Sequence, residues 1–139
     1  MLKGIPKEIG PELLRRLAEM GHGDELAIVD ANYPAYAAGP PVVFAGGVGA
    51  PEMLAAVLKL LPLDTFTEAN AFPMMGDDGP PAILTEFERV LTGSGEEARI
   101  QAIDRFAFYQ RAQKARVIVA TGEGRAYGCI LIRKGVIFF

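Results

Sequence analysis

The feature that most constrains this chain is the alternation of amphipathic helical stretches with short apolar runs, punctuated by glycine and proline. Gly10 precedes Pro11 and Glu12, which suit a first helical turn. Leu13, Leu14, Leu17 and Met20 then recur at helical spacing, and Gly21 supplies a stop. After a polar turn at His22 to Glu25, Leu26 to Val29 reads as a buried strand ending at Asp30. Asn32-Tyr33-Pro34 opens a loop that contains a Gly39-Pro40 turn. Val42 to Ala45 is a second strand, and Pro51 opens a helix whose Met53, Leu54, Val57, Leu58 and Leu61 share one face. Thr65 to Met75 is ambiguous and holds a strand somewhere within it; Gly76 to Pro80 is a turn. Ile83, Leu84, Phe87, Val90 and Leu91 line a third helix that Gly93-Ser94-Gly95 breaks. Asp104 caps a fourth helix from Arg105 to Ala115. The β-branched run Arg116 to Ala120 is a strand, Thr121 to Gly128 a loop, and Ile130 to Ile132 and Val136 to Phe139 two further strands around Lys134-Gly135. This order predicts an α/β domain of three layers, α/β/α, around a central mainly parallel or mixed sheet. With 139 residues and no linker or repeat, residues 1–139 form one domain.

Charge and cysteine content narrow the function. Fourteen Lys and Arg against seventeen Asp and Glu leave a net charge of −3, so no global field draws the chain to nucleic acid or anionic lipid. A single cysteine, Cys129, excludes an intrachain disulfide framework and a cysteine-rich zinc cluster, and is compatible with a reducing compartment. No apolar run reaches the roughly 18 residues of a membrane helix, and the start lacks the apolar core of a signal peptide. The cytoplasm is the expected location.

Few residues have the right chemistry in the right place. His22, the only histidine, lies between Gly21 and Gly23. An imidazole's ordinary pKa, roughly 6.5, suits acid–base work near neutral pH; an ordinary exposed loop histidine is the other reading. Asp30 sits at the carboxyl end of a strand, where ligands of open α/β sheets bind. It is either an acceptor for sugar hydroxyls or a turn residue bonded to its own backbone. Eight positions from His22, it either returns to the same edge or lies a strand length away. Arg105 places a cation in the first turn of a helix, against the dipole, and needs compensation or a task. Tyr127, Gly128 and Cys129 end a glycine-rich loop just before a strand, which suits contacts to a ligand; loop packing for Tyr127 and a small buried hydrophobe for Cys129 are the other readings. Two glycine clusters fail as nucleotide motifs. Glu52 and Tyr127 stand where the third glycine of G-x-G-x-x-G belongs, and no P-loop ending occurs. No metal-ligand spacing occurs, and Ser94 has no triad context.

Several segments, in this order, resemble the ribose pyranase/fucose mutarotase family. They are Glu12-Leu13-Leu14 through Ala18 to Glu25, Asp30-Ala31-Asn32-Tyr33-Pro34, and Arg105 to Ala115. Thr121-Gly122-Glu123, Tyr127-Gly128 and Ile130 to Val136 complete the set. The match runs nearly end to end. The resemblance implies a cofactor-free α/β/α enzyme acting on the anomeric centre of a free monosaccharide, with no metal. It implies His22 as general acid, Asp30 as holder of substrate hydroxyls, and Arg105 with Tyr127, Gly128 and Cys129 as the rest of the pocket. The ribose branch carries histidine at the position of Arg105, so the Arg105-Phe106-Ala107-Phe108-Tyr109 run looks like the fucose branch. Cys129 departs from the family's usual asparagine, and a thiol does not replace an amide that both donates and accepts. The family's ring-shaped homo-oligomers, decameric rings included, have pockets at subunit contacts, and the apolar Val136 to Phe139 suits burial in a sheet or an interface.

The expected reaction is interconversion of the α and β anomers of L-fucose by ring opening and closure. D-ribose pyranose–furanose interconversion passes through the same open-chain aldehyde and is the alternative enzyme. A non-catalytic sugar-binding protein is the alternative from another class.

Overall fold

The computed structural model describes residues 1–139. Four helices, α1 (Pro11–Glu19), α2 (Ala50–Leu58), α3 (Leu84–Gly93) and α4 (Arg105–Ala112), surround five strands. The strands are β1 (Glu25–Val29), β2 (Val42–Ala45), β3 (Ala71–Pro73), β4 (Val117–Thr121) and β5 (Ile130–Arg133). They form one sheet in the order β2-β4-β1-β5-β3. The β2–β4 and β4–β1 pairs are parallel, and the β1–β5 and β5–β3 pairs are antiparallel. The sheet is therefore mixed.

Side-chain alternation builds the layers, because successive strand residues face opposite sides. Leu26 and Ile28 of β1, Val117 and Val119 of β4, and Ile130 and Ile132 of β5 join the larger core with α1, α2 and α3. Ala27 and Val29, Ile118, and Leu131 face a smaller core under α4, where Phe108 and Ala112 close it. Both faces are covered, so the α/β/α expectation holds. It also explains why the strands read as continuous apolar runs rather than alternating ones.

Four boundaries depart from expectation. Helix α2 stops at Leu58, although Leu61 stays buried beyond it, and α4 stops at Ala112. Within the ambiguous Thr65 to Met75 stretch only Ala71–Pro73 is strand, held at the edge beside β5. The strand expected over Val136 to Phe139 does not form. At Gly135 the chain passes so close to the Leu63 carbonyl that a Cβ would lie 2.4 Å from its oxygen. The Gly135 N–H donates to the Pro62 carbonyl. Beyond this crossing no neighbouring strand is within the protomer, and Ile137 and Phe138 are exposed. The tail is not buried in the sheet.

The Asp104 cap forms as expected: its Oδ1 accepts from the Ala107 N–H at 2.9 Å and fixes the first turn of α4, which carries Arg105. Asp104→Ala is expected to lower unfolding free energy by about 1 kcal/mol in urea denaturation, with no change in the dependence on denaturant.

Candidate functional site

The two ends of β1 carry different chemistry. At its carboxyl end Asp30 leaves the sheet. Strand β5 runs antiparallel to β1, with Ile28 opposite Ile130, so the loop preceding β5 returns to the same place. That return brings Tyr127, Gly128 and Cys129 beside Asp30. The Asp30 Oδ1 accepts from the Asn32 N–H at 3.0 Å, closing a local turn. Its Oδ2 accepts from the Gly128 N–H at 3.2 Å and from the Cys129 thiol at 3.4 Å. Gly128 is needed for this approach: a Cβ there would lie 2.7 Å from Glu123 Cγ and 3.3 Å from Asp30 Cβ. Tyr127, before it, takes a left-handed φ of 58°, an uncommon conformation for a residue with a side chain.

Asp30, Tyr127 and Cys129 line a pocket of about 270 Å³ together with Asn32, Tyr33, Met74, Arg105 and Tyr109. Burial raises the Cys129 thiol well above its ordinary pKa, and the neighbouring Asp30 carboxylate adds to the rise, so the group is a thiol donor rather than a thiolate. Burial likewise raises Tyr33, with Cys129, Tyr109 and Asp30 adding to it, so its hydroxyl stays protonated. Tyr33 packs edge-on against Phe108 and Tyr109. Arg105 pairs loosely with Asp77 at 3.5 Å and lies over the Phe106 ring. The Asp77 carboxylate supplies the compensation that a cation in a first helical turn requires. The Arg105 Nε is buried without a hydrogen-bond partner. Such an atom is costly unless something accepts from it.

The loop carrying Tyr127 is pinned by Glu123, which sequence reading left without a role. Its main-chain carbonyl accepts from Ala31, directly after Asp30. Its carboxylate accepts from the Ala50 N–H at the start of α2 and from the Arg125 side chain. Arg125 holds that carboxyl below its ordinary range against the effect of burial.

His22 is not in this pocket. It precedes β1, whereas Asp30 follows it, and about 15 Å of strand separates them at roughly 3.3 Å per residue. Of the two placements open for Asp30, the structure has the one a strand length away from His22 within one protomer. The partner of His22 is instead Asp64, whose Oδ1 lies 3.1 Å from Nε2. Asp64 is fully buried, and it also accepts from the Phe66 N–H at 3.0 Å and from Arg133 Nε at 2.8 Å. Burial pushes this carboxyl up, but the donors from Phe66, Arg133 and His22 outweigh it and hold it down at about 2. Asp64 therefore presents an anion to the imidazole. The His22 ring is 45% exposed and lies 5.1 Å from the Phe66 ring, which in turn meets Phe138. One sign of Asp64 was present in the sequence: a lone carboxylate ending the apolar stretch Leu60-Leu61-Pro62-Leu63.

A larger hollow of about 470 Å³ lies between the start of β1 and α4. Its principal charged groups already satisfy one another, since Arg111 binds Glu25 through Nε at 2.8 Å and Nη2 at 2.7 Å. The smaller pocket, by contrast, is lined by Arg105, whose Nε has no hydrogen-bond partner. No three side chains of the metal-ligating types come together, and no helix is long and apolar enough to cross a membrane.

The depressed Asp64 carboxyl has a consequence for stability. A carboxyl held below its ordinary value of 3.8 stabilises the fold above that value, and the contribution is lost as pH falls toward about 2. Thermal unfolding between pH 4 and pH 2 is expected to show this loss in the wild type and a shallower slope in Asp64→Asn.

Comparison with known proteins places the chain among sugar-related proteins. Human "Fucose mutarotase" is 46% identical, with 98% of this chain aligned to 94% of that protein. A solved structure from Streptococcus pneumoniae, a fucose mutarotase in complex with L-fucose, superposes with a TM-score of 0.92 at 40% identity. It covers 99% of this chain and all of the other. Bacillus subtilis RbsD complexed with D-ribose superposes with a TM-score of 0.76 at 21% identity over 94% and 95% of the two chains, a likeness of fold alone. The profile of the RbsD / FucU transport protein family matches residues 3–137, and the chain belongs to that family.

Proposed function

We propose that this protein is an L-fucose mutarotase, a cofactor-independent isomerase that interconverts the α and β anomers of the free sugar. The observation that carries the reading is the Asp30 pocket. It is small, combines the polar Asp30, Asn32 and Arg105 with the aromatic Tyr33, Tyr109 and Tyr127, and the Nε of Arg105 has no hydrogen-bond partner within the chain. It belongs to a chain that shares 40% identity and a TM-score of 0.92 with a mutarotase solved with L-fucose. A monosaccharide offers hydroxyls that both accept from Arg105 and donate to Asp30, and a carbon-bearing face for Tyr33 and Tyr109.

Anomer exchange requires the ring oxygen to gain a proton while the anomeric hydroxyl loses one. The chain then rotates and closes on the other face. In this reading Asp30, Arg105, Tyr127, Gly128 and Cys129 hold the sugar, and the His22 imidazolium gives its Nδ1 proton to the ring oxygen while solvent water takes the proton of the anomeric hydroxyl; ring closure reverses both transfers. Asp64 steadies the imidazolium and fixes which ring nitrogen faces outward: with Nε2–H donating to Asp64, Nδ1 is left for the substrate. The pocket and the imidazole lie at opposite ends of β1, so one chain cannot bring both to one sugar. The site is completed between two copies of this chain, with His22 and Asp64 of one facing the Asp30 pocket of the next. Apolar surface supports such a contact at both ends. Phe66, Ile137 and Phe138 are exposed near His22, and Phe106 is exposed beside Arg105.

Exchange of α- and β-L-fucose signals in proton NMR, with D-ribose as the comparison sugar, tests the reaction. The expected result is accelerated exchange of L-fucose anomers. His22→Ala is expected to lose about 10²–10⁴ of the acceleration while still binding sugar. A mixing experiment tests the shared site. His22→Ala and Asp30→Ala, each inactive alone, are expected to regain part of the activity when co-assembled, because some contacts then join an intact imidazole to an intact pocket. Anomer exchange no faster than in buffer would overturn the reading, and absence of complementation would overturn the two-chain site.

A further inference from the structure

Arg133 closes β5 directly opposite Glu25, at the end of the sheet where His22 lies. Its guanidinium reaches three features at once. Nε donates to Asp64 Oδ2 at 2.8 Å, leaving Oδ1 for His22. Nη1 lies 3.6 Å from Glu25 Oε2, an oxygen that also accepts from Arg111 Nη2 while Arg111 Nε holds Oε1. Nη2 packs under Gly23, where a Cβ would lie 2.9 Å away; Gly23 has a φ of 87° and follows His22 directly. The main chain adds to this: the Arg133 carbonyl accepts from Asp64 N–H, and the next carbonyl, of Lys134, accepts from Gly23 N–H. One residue thus braces both the carboxylate that faces the imidazole and the turn that carries it.

We infer that Arg133 is a positioning residue for the proton-transfer step: by clamping Asp64 Oδ2 and supporting the Gly21 to Asp24 turn, it holds Asp64 Oδ1 on His22 Nε2 and keeps Nδ1 turned outward. This rests on the mutarotase reading above, and its structural part can be tested apart from it. Asp64 is buried, so without the cation its anion loses the most direct countercharge. Arg133 and His22 are the charged or titratable side chains bonded to Asp64, with Thr67 Oγ1 at 3.5 Å. Further out, Glu25 stands behind Arg133, Glu96 accepts from Leu63 N–H, and Arg99 donates to the Thr65 and Thr67 carbonyls. None of these outer groups replaces the clamp.

Because His22 is the only histidine, its two ring nitrogens give the only imidazole signals of 15N-labelled protein. In the wild type the neutral ring is expected as the Nε2–H tautomer. In Arg133→Gln the ring signals are expected to move toward a tautomer mixture. Anomer exchange is expected to fall about tenfold or more, part of the 10²–10⁴ that an acid–base group supplies. The acid-side loss of rate is also expected to begin at higher pH, since an unclamped Asp64 takes a proton sooner. Arg133→Lys keeps the charge without the fork and is expected to restore the acid side of the pH profile but not the single tautomer; it also serves if the glutamine variant does not fold. Arg111→Gln removes the fork that holds both oxygens of Glu25 without touching Asp64, and is expected to keep the wild-type tautomer and profile. The inference is overturned by a folded Arg133→Gln or Arg133→Lys whose ring signals match the wild type. It is also overturned by an Arg111→Gln that shifts tautomer and profile as far as Arg133→Gln does. A wild type with the Nε2–H tautomer but no anomer exchange would instead sink the mutarotase reading and leave the clamp in place.

Discussion

Strand β1 is buried on both faces, and that constraint shapes everything else in the molecule. Leu26 to Val29 are fully buried, with the larger core on one side and the smaller core on the other. A strand so enclosed has no room for polar chemistry along its length, because each unpaired polar group there would cost about 1–3 kcal/mol. Polar side chains therefore appear only where the strand begins and ends. Asp24, Glu25 and His22 lie at one end and Asp30 at the other. Strand β5, antiparallel beside it, delivers Tyr127, Gly128 and Cys129 to the Asp30 end and Arg133 to the His22 end. A single strand pair thus sets out both half-sites and the distance between them.

The separation of the half-sites connects fold to assembly. An imidazole backed by a buried carboxylate is of little use to a pocket about 15 Å away along a rigid strand. The exposed aromatic surface beside each half-site gives a second copy of the chain a reason to dock there. In the proposed two-chain site, catalysis depends on association, and the same apolar contact that joins two chains would exclude water from the sugar. The tail past Gly135 is unpaired within the protomer and exposes Ile137 and Phe138 beside this surface rather than joining the sheet.

Close backbone approaches hold the pocket itself. Gly128 lets the loop before β5 lie against Asp30, and Glu123 ties that loop to α2 and to Ala31. The thiol of Cys129 donates to Asp30 from within the smaller core. It supplies one of the three donors that orient the Asp30 carboxylate.

The periodicity of apolar residues was enough to determine four helices, the principal strands and their layering, because helix and strand patterns are local and the core reads them directly. It failed at Val136 to Phe139, where an apolar run looks like a strand but finds no partner within the protomer after the Gly135 crossing. Motif order was enough to single out His22, Asp30, Arg105 and the Tyr127 to Cys129 segment. It did not determine which of these stand together, since eight positions along the chain are compatible with one edge or two. Asp64 and Arg133 were not legible as partners of His22: 42 and 69 positions separate Asp64 from His22 and Arg133. Only the sheet order and the crossing beside Leu63 bring them together. The chemistry of each group was written in the sequence, whereas the neighbours that orient it were decided by tertiary structure, because hydrogen bonds between distant segments depend on strand pairing that no local pattern encodes.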